Sequence, residues 1–334
     1  MATSSCGGPP YASRTTTPTN GTLIPLSVLL VGATGTLGGG IARHLLSDGA
    51  AQVHLLVRTP SPADPAKAAA LADLVKKGAV LLTGDLNDPE SLAAATRGID
   101  VVVSAVQGGR DIIVDGQVAL AVAAKASGVR RFIPSDFALD IWAAPAGAPM
   151  FELRKEADAA IEELGLEVVH ILNGAFMDMM LDPRTAGVVD LDKGTGNYYG
   201  DGTDQFDVTL IDDVAAFTAR LAVDEFATAG TYALSGSRTS FNSIIAEVEH
   251  LTGRALTRNP RGSIDDLRAA VAAAGNPWAA IGLWYNLAMI TTPPFTTTAN
   301  QRYADLAPTT LSAYLEATIG GTANGSITPA RPGR

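Results

Sequence analysis

The sequence predicts an α/β protein built on a doubly wound parallel sheet, followed by a smaller C-terminal α+β lobe. Three observations carry this. Short β-branched runs recur from residue 28, Ala- and Leu-rich segments of helical length separate them, and a glycine-rich turn joins the first run to the first helix. Strand, helix and parallel strand in repetition is the pattern of a sheet covered on both faces, whose strands read as nearly continuous apolar runs.

The expected strands are Val28–Val31, Val53–Val57, Val80–Leu82, Val101–Ser104, Arg131–Ile133 and Val168–Ile171. Helices are expected near 38–47, 64–76, 89–97, 116–127 and 152–164. Asp88 is placed to N-cap a helix whose first residue is Pro89, and Gly49 and Gly128 follow helix ends. Past residue 175 the rhythm weakens. Residues 187–210 read as a strand or hairpin excursion, and helices are expected near 212–223, 239–252, 263–274 and 308–318. The resulting division is a disordered extension over 1–25, a nucleotide-binding unit over 26–175, a substrate lobe over 176–320 and a flexible tail over 321–334.

The 334 residues include 24 Lys plus Arg and 34 Asp plus Glu, a net charge of −10. That balance argues against a nucleic-acid partner, because phosphate-backbone binding needs clustered cations. Cys6 is the only cysteine, which excludes a disulfide framework and a Cys-based zinc site and fits a reducing cytoplasm. The N-terminal stretch has no apolar core of a secretory signal. Residues 269–301 carry no charge, but Gly275, Asn276 and Pro277 interrupt the apolar run. A buried helix pair is therefore expected rather than a membrane span, with Trp278, Trp284, Tyr285 and Met289 as candidates for an apolar ligand pocket.

The strongest motif runs Gly32-Ala-Thr34-Gly35-Thr36-Leu37-Gly38 between strand and helix. Gly32 makes the tight turn, Gly35 lets backbone approach a pyrophosphate, and Gly38 lets the helix lie close to the strand. Free N–H groups at the helix start then hold phosphate oxygens. No Gly-Lys-Ser/Thr follows, so this is not a nucleoside-triphosphate loop. At the end of the second strand stands Arg58 instead of an acid that would bind a ribose hydroxyl, which favours NADPH over NADH. Asp85 and Leu86 come after the third strand as candidate adenine contacts. Ser104, Ala105 and Gln107 come after the fourth, where small residues admit ribose and nicotinamide.

Four segments together resemble the NmrA-like and isoflavone-reductase-like family of atypical short-chain dehydrogenases. They are the glycine turn, Gly84-Asp85-Leu86, the run from Gly128 through Arg131-Phe-Ile-Pro134-Ser135-Asp136-Phe137, and Asn173-Gly-Ala-Phe176. The resemblance covers about residues 27–180 and implies a Rossmann unit for NADP(H), with cofactor contacts extending to Pro134 and Ser135. It also places Phe137, Phe151, Asn173 and Phe176 on the substrate side, to which the uncharged segment adds Trp278 and Trp284 as candidates. Typical short-chain dehydrogenases use Tyr-x-x-x-Lys, but here the matching segment is Phe151-Glu-Leu-Arg-Lys155, so the tyrosine acid is absent. The resemblance makes Lys155 the general acid/base or ribose contact. The residues by themselves read it as a solvated partner of Glu152 or Asp158.

The remaining candidates have blander readings. Ser135 and Asp136 suit a turn or cap, and His170, in an apolar run, suits the core. His44, His54 and His250 have no special context. Asp201, Asp204, Asp207, Asp212 and Asp213 fit no calcium loop, Asp212 is expected to cap a helix, and no metal is expected. The function expected is an NADPH-dependent reductase of a small, apolar, aromatic acceptor of phenylpropanoid, enone or quinone type, working as monomer or homodimer. A non-catalytic NADP(H) sensor is the alternative, and a nucleotide-sugar epimerase a weaker third.

Overall fold

The computed structural model describes residues 25–58, 64–182, 186–276 and 278–320. The expected N-terminal extension and C-terminal tail therefore lie outside the described residues, save for Pro25.

The first half alternates as expected. β1 (Leu26–Val31), α1 (Thr36–Asp48), β2 (Ala51–Val57), α2 (Pro65–Lys76), β3 (Val80–Thr83), α3 (Pro89–Ala95) and β4 (Val101–Ser104) succeed one another. Then come α4 (Gln117–Ala126), β5 (Arg131–Ile133), α5 (Pro149–Glu162) and β6 (Glu167–Leu172). Asp88 caps α3 through Glu90 and Ser91 N–H, and Gly49 ends α1 in the left-handed region. Two helices begin earlier than the apolar period indicates. A π-helical turn over Asp111–Gly116 precedes α4, and α5 starts at Pro149, whose fixed φ suits a first turn.

After β6 the chain makes β7 (Ala175–Phe176), β8 (Val189–Asp190), β9 (Thr195–Tyr198), β10 (Phe206–Thr209), α6 (Ile211–Val223), β11 (Gly230–Ala233) and β12 (Ser237–Thr239). It finishes with α7 (Phe241–Thr252), β13 (Thr257–Pro260), α8 (Ile264–Ala273), α9 (Ile281–Thr291) and α10 (Leu311–Ile319). The main sheet has the order β11-β6-β5-β4-β1-β2-β3, all neighbours parallel. Two three-stranded sheets, β12-β10-β7 and β13-β9-β8, belong to the later half.

A cut at residue 175 would sever the main sheet from one of its own strands. β11 returns as its seventh strand, and α6 packs along α1, where a Cβ on Gly40 would stand 2.7 Å from the Ala215 methyl. Arg131 fastens this return. Fully buried, it donates to the Leu221, Asp224 and Ala227 carbonyls at the end of α6 and beyond it, and to Glu167 of β6. Carbonyls at a helix C-terminus carry partial negative charge, so a guanidinium there is doubly suited.

α6 also corrects one expected cap. Leu210 is the N-cap residue and makes no side-chain bond, while Asp212 lies inside the first turn and faces His44 Nε2 at 3.3 Å. The first amide, Ile211 N–H, instead donates to Asp178 Oδ2 at 2.9 Å, a cap supplied from 33 residues away. α8 and α9 do pair, but they are not the buried pair expected: only Leu267 and Val271 of α8 are buried, and no helix among the described residues is long and apolar enough to cross a membrane.

Candidate functional site

Strand order reverses between β1 and β4, and the crevice outside their carboxyl ends is where open α/β sheets bind ligands. The glycine turn sits there. Gly32 has φ +94°, and a Cβ on it would collide with the Ala105 carbonyl. Gly38 presses against the Gly32 carbonyl in the same way. The fold thus demands both glycines, one for each side of the turn.

Gly35 is different. It is extended (φ −85°, ψ 165°), and the nearest atom to a Cβ built there is the Gly32 oxygen at 3.4 Å. No contact among the described residues requires glycine at this exposed N-cap. It makes no side-chain cap to α1, so the first-turn amides face outward beside exposed Thr34 and Thr36. A cradle that a Cβ would fill, beneath uncapped amides, fits a dinucleotide pyrophosphate. At the mouth of β2, Arg58 is exposed and makes no hydrogen bond or ion pair among the described residues. A free guanidinium there fits a 2′-phosphate.

The neighbouring loops are partly committed to their own architecture. Asp85 Oδ1 accepts from Asn87 N–H at 2.9 Å, an Asx turn, and Leu86 is buried in the core. Ser104 is fully buried at the end of β4 with its hydroxyl unpartnered, Ala105 N–H donates to Val31 O, and Gln107 is exposed. Buried Pro134 leads into Ser135, whose hydroxyl donates to Val106 O at 2.7 Å and whose N–H donates to Gln117 Oε1 at 3.0 Å. Gln117, not singled out by the sequence, therefore ties the loop after β5 to α4.

On the cationic turn of α5 two neighbours divide. The Lys155 side chain is about a quarter exposed, and its Nζ reaches Glu152, one of the two partners its residues alone suggest, at 3.2 Å. The cation that turns toward β5 is Arg154. Its Nε donates to Ser135 O at 2.9 Å and its Nη1 to Met150 O, while Nη2 has no partner among the described residues. Only the rotation of α5 against the strand end separates the two, and an apolar period resolves a helix face no better than one neighbouring residue.

On the expected substrate side, Phe137 and Phe151 are buried, the latter edge-on to Tyr285 with ring centroids 6.1 Å apart. Asn173 is fully buried. Its side-chain amide donates to Gly174 O and its backbone carbonyl accepts from the Thr209 hydroxyl. Phe176 is half-buried in β7, Trp278 is exposed, and Trp284 packs near Gly147 with its indole N–H buried and unpartnered. A narrow cleft with room for about one water, about 10 Å³, opens beside Gly174 and Ala175, with Leu139, Phe206, Met289 and Phe295 for its apolar walls and Asp140 and Asp207 at its polar points. Of the four pocket candidates in the uncharged segment, only Met289 lines it.

His170 is buried as expected, but among acids. Its Nδ1 stands 2.8 Å from Asp136 Oδ2 and its Nε2 3.1 Å from Glu162 Oε1. Burial alone would lower its pKa; Asp136 and then Glu162 outweigh that and raise it. Asp158, on the same face of α5, is pushed up to about 10 by burial and by the charge of Asp136. The sequence shows no sign of this cluster, because its members come from three separated segments.

Sheet order, switch-point crevice and uncapped glycine turn define an α/β protein of the doubly wound, dinucleotide-type class. The NmrA-like family model matches residues 26–278, and the chain belongs to that family. It is similar to pinoresinol reductase 1 of Arabidopsis thaliana, 33% identical over 207 residues, which cover 59% of this chain and 64% of that protein. The chain thus spans just under two thirds of the length of the pinoresinol reductases it matches. Eugenol synthase 1 of Petunia hybrida is 29% identical over 69% of this chain and 76% of its own length. A solved structure of AtPrR2 with NADP+ and (+)pinoresinol superposes with TM-score 0.76 at 25% identity, covering 89% of this chain and 99% of that one.

Proposed function

We propose that this protein is an NADPH-dependent reductase of a small apolar acceptor of the phenylpropanoid, enone or quinone type. The observation that carries this is the glycine turn, where Gly35 is needed by no contact of the protein itself. The likeness to pinoresinol reductase 1 and to AtPrR2 with NADP+ and pinoresinol supports both cofactor and acceptor class. NADPH, when bound, supplies the hydride.

The chain's own residues supply the other functions. The first-turn amides of α1 hold the pyrophosphate, and Arg58 pairs with the 2′-phosphate. Arg154, fixed by two carbonyls, presents Nη2 to the oxygen on which negative charge develops. A guanidinium does not give up a proton near neutrality, so the proton comes from Lys155 or from water beside it. Its pair with Glu152 is of the exposed kind that is worth at most about 1 kcal/mol, and it opens readily. The acceptor takes the apolar cleft beside Gly174, which is narrow and must widen to admit it. The sole cysteine, Cys6, supports a reducing, cytoplasmic setting.

The test is titration with NADPH and NADH, followed by nicotinamide oxidation against a panel of phenylpropanoid ethers, enones and quinones. Preferential NADPH binding with turnover of one acceptor class is expected. Binding without turnover on any of them would instead identify a cofactor sensor. No binding of either nucleotide would end the proposal.

A further inference from the structure

Asp136, Asp158 and His170 are held by three different elements: the loop after β5, the middle of α5 and the middle of β6. All three are buried, and one ligand-type atom from each lies within 4.8 Å of the others. Three carboxylate oxygens in this space, Asp136 Oδ1 and both oxygens of Asp158, are buried without a hydrogen-bond partner. Asp158 is only 2% exposed. Leaving two carboxyl groups in such a state costs several kcal/mol unless they share a proton or meet a counter-charge.

The protein provides little of it. Arg154, one turn before Asp158, has two of its nitrogens on the Ser135 and Met150 carbonyls. His170 can carry one positive charge, set against Asp136, Asp158 and Glu162. Trp142 meets the imidazole edge-on at 5.1 Å and brings no charge. The surroundings are thus short of positive charge and rich in unpartnered oxygen.

The orientation of the imidazole adds a directional clue. Glu162 engages Nε2, which leaves Nδ1 facing the two aspartates. A carboxylate on the outer nitrogen of a histidine is the arrangement that orients imidazole toward a metal and makes it a better donor. One imidazole nitrogen with two carboxylates suits zinc, cobalt or manganese. It is too poor in oxygen ligands for calcium, and magnesium prefers to keep its waters.

We propose that Asp136, Asp158 and His170 form a binding site for one divalent transition-metal cation, with Glu162 as the outer carboxylate. The cation would join the loop after β5 to α5, one turn from Arg154, and so brace the edge on which Ser135 and Arg154 sit. The site takes no part in hydride transfer and does not depend on the activity proposed above.

The test uses the full chain stripped with a chelator and titrated with Zn2+ by calorimetry, and with Co2+ by visible absorption. One equivalent of either ion should bind, and Zn2+ should raise the melting temperature. Asp158→Asn, nearly isosteric, should abolish binding. Glu162→Gln should weaken it by about ten- to a hundredfold, the effect typical of an outer partner. The circular-dichroism spectrum should be retained in both variants, showing that they fold. Absence of stoichiometric binding to the unaltered chain overturns the proposal, whatever the variants do. So does Zn2+ binding that survives both Asp158→Asn and His170→Gln. In the first case, a higher melting temperature in Asp158→Asn would identify the aspartates as a pair sharing one proton.

Discussion

The glycine turn and the corner between β5 and α5 face the same sheet edge but are built from different materials. The turn is backbone. Its geometry comes from three glycines within seven consecutive residues, and its ligand-facing groups are amides that every chain possesses. The corner is side chain. Ser135, Gln117 and Arg154 meet there from separate segments of the chain, each satisfying another's hydrogen bonds. A local device is written in one stretch of sequence, whereas a long-range one exists only when strand and helix have docked.

Substitutions can break this comparison at several strengths. Gly32→Ala should have the largest effect, since its positive φ and the touching Ala105 carbonyl leave no place for a methyl. Little or no folded protein is expected from soluble yield and circular dichroism, and a normally melting variant would show that the turn can rearrange. Arg131→Met should cost about 3–5 kcal/mol in denaturant unfolding, as expected when a buried ionic group loses its partner set. A cost below about 1 kcal/mol, the level of an exposed pair, would mean that α6 and β11 hold without it.

Arg154→Ala should lower kcat by about 10²–10³-fold, the range for losing one donor to a developing oxyanion, with a modest fall in melting temperature because the buried Ser135 and Met150 carbonyls lose their donor. Gly35→Ala should leave the melting temperature unchanged and weaken NADPH binding by about tenfold, or about 1.4 kcal/mol. A stability loss there would contradict the claim that only a ligand needs this glycine. Lys155→Ala should have the smallest effect, about tenfold in kcat, below the usual range for a proton donor because water reaches the same place. If Lys155→Ala outweighs Arg154→Ala, the assignment of roles within α5 must be reversed.

How much of the molecule is legible in its sequence depends on how far each signal extends along the chain. β1, β2 and β4 through β6 are readable from apolar runs alone, since strands covered on both faces show no competing polar pattern, and β3 keeps an apolar run although it lies exposed at the sheet edge. Asp88 and Gly49 behave as their residue types dictate, because caps are local. Asp212 does not, because the first amide of α6 is already satisfied by Asp178 from another segment. The glycine turn is readable in full, and Arg58 in position. Lys155 and Arg154 are adjacent in sequence, and only the docking of α5 decides which one turns inward. The apolar run around His170 announces its burial, but nothing along its strand indicates that Asp136, Asp158 and Glu162 surround it.

By itself, then, the sequence determined the alternating α/β order, the glycine turn between β1 and α1 and the net negative charge. These depend on period, on backbone freedom and on counting. Tertiary structure alone decided that β11 closes the sheet, that Arg154 reaches the strand end and that two aspartates share a buried space with a histidine. Those outcomes depend on which side chains face each other once distant segments pack, and no single stretch of chain carries that information.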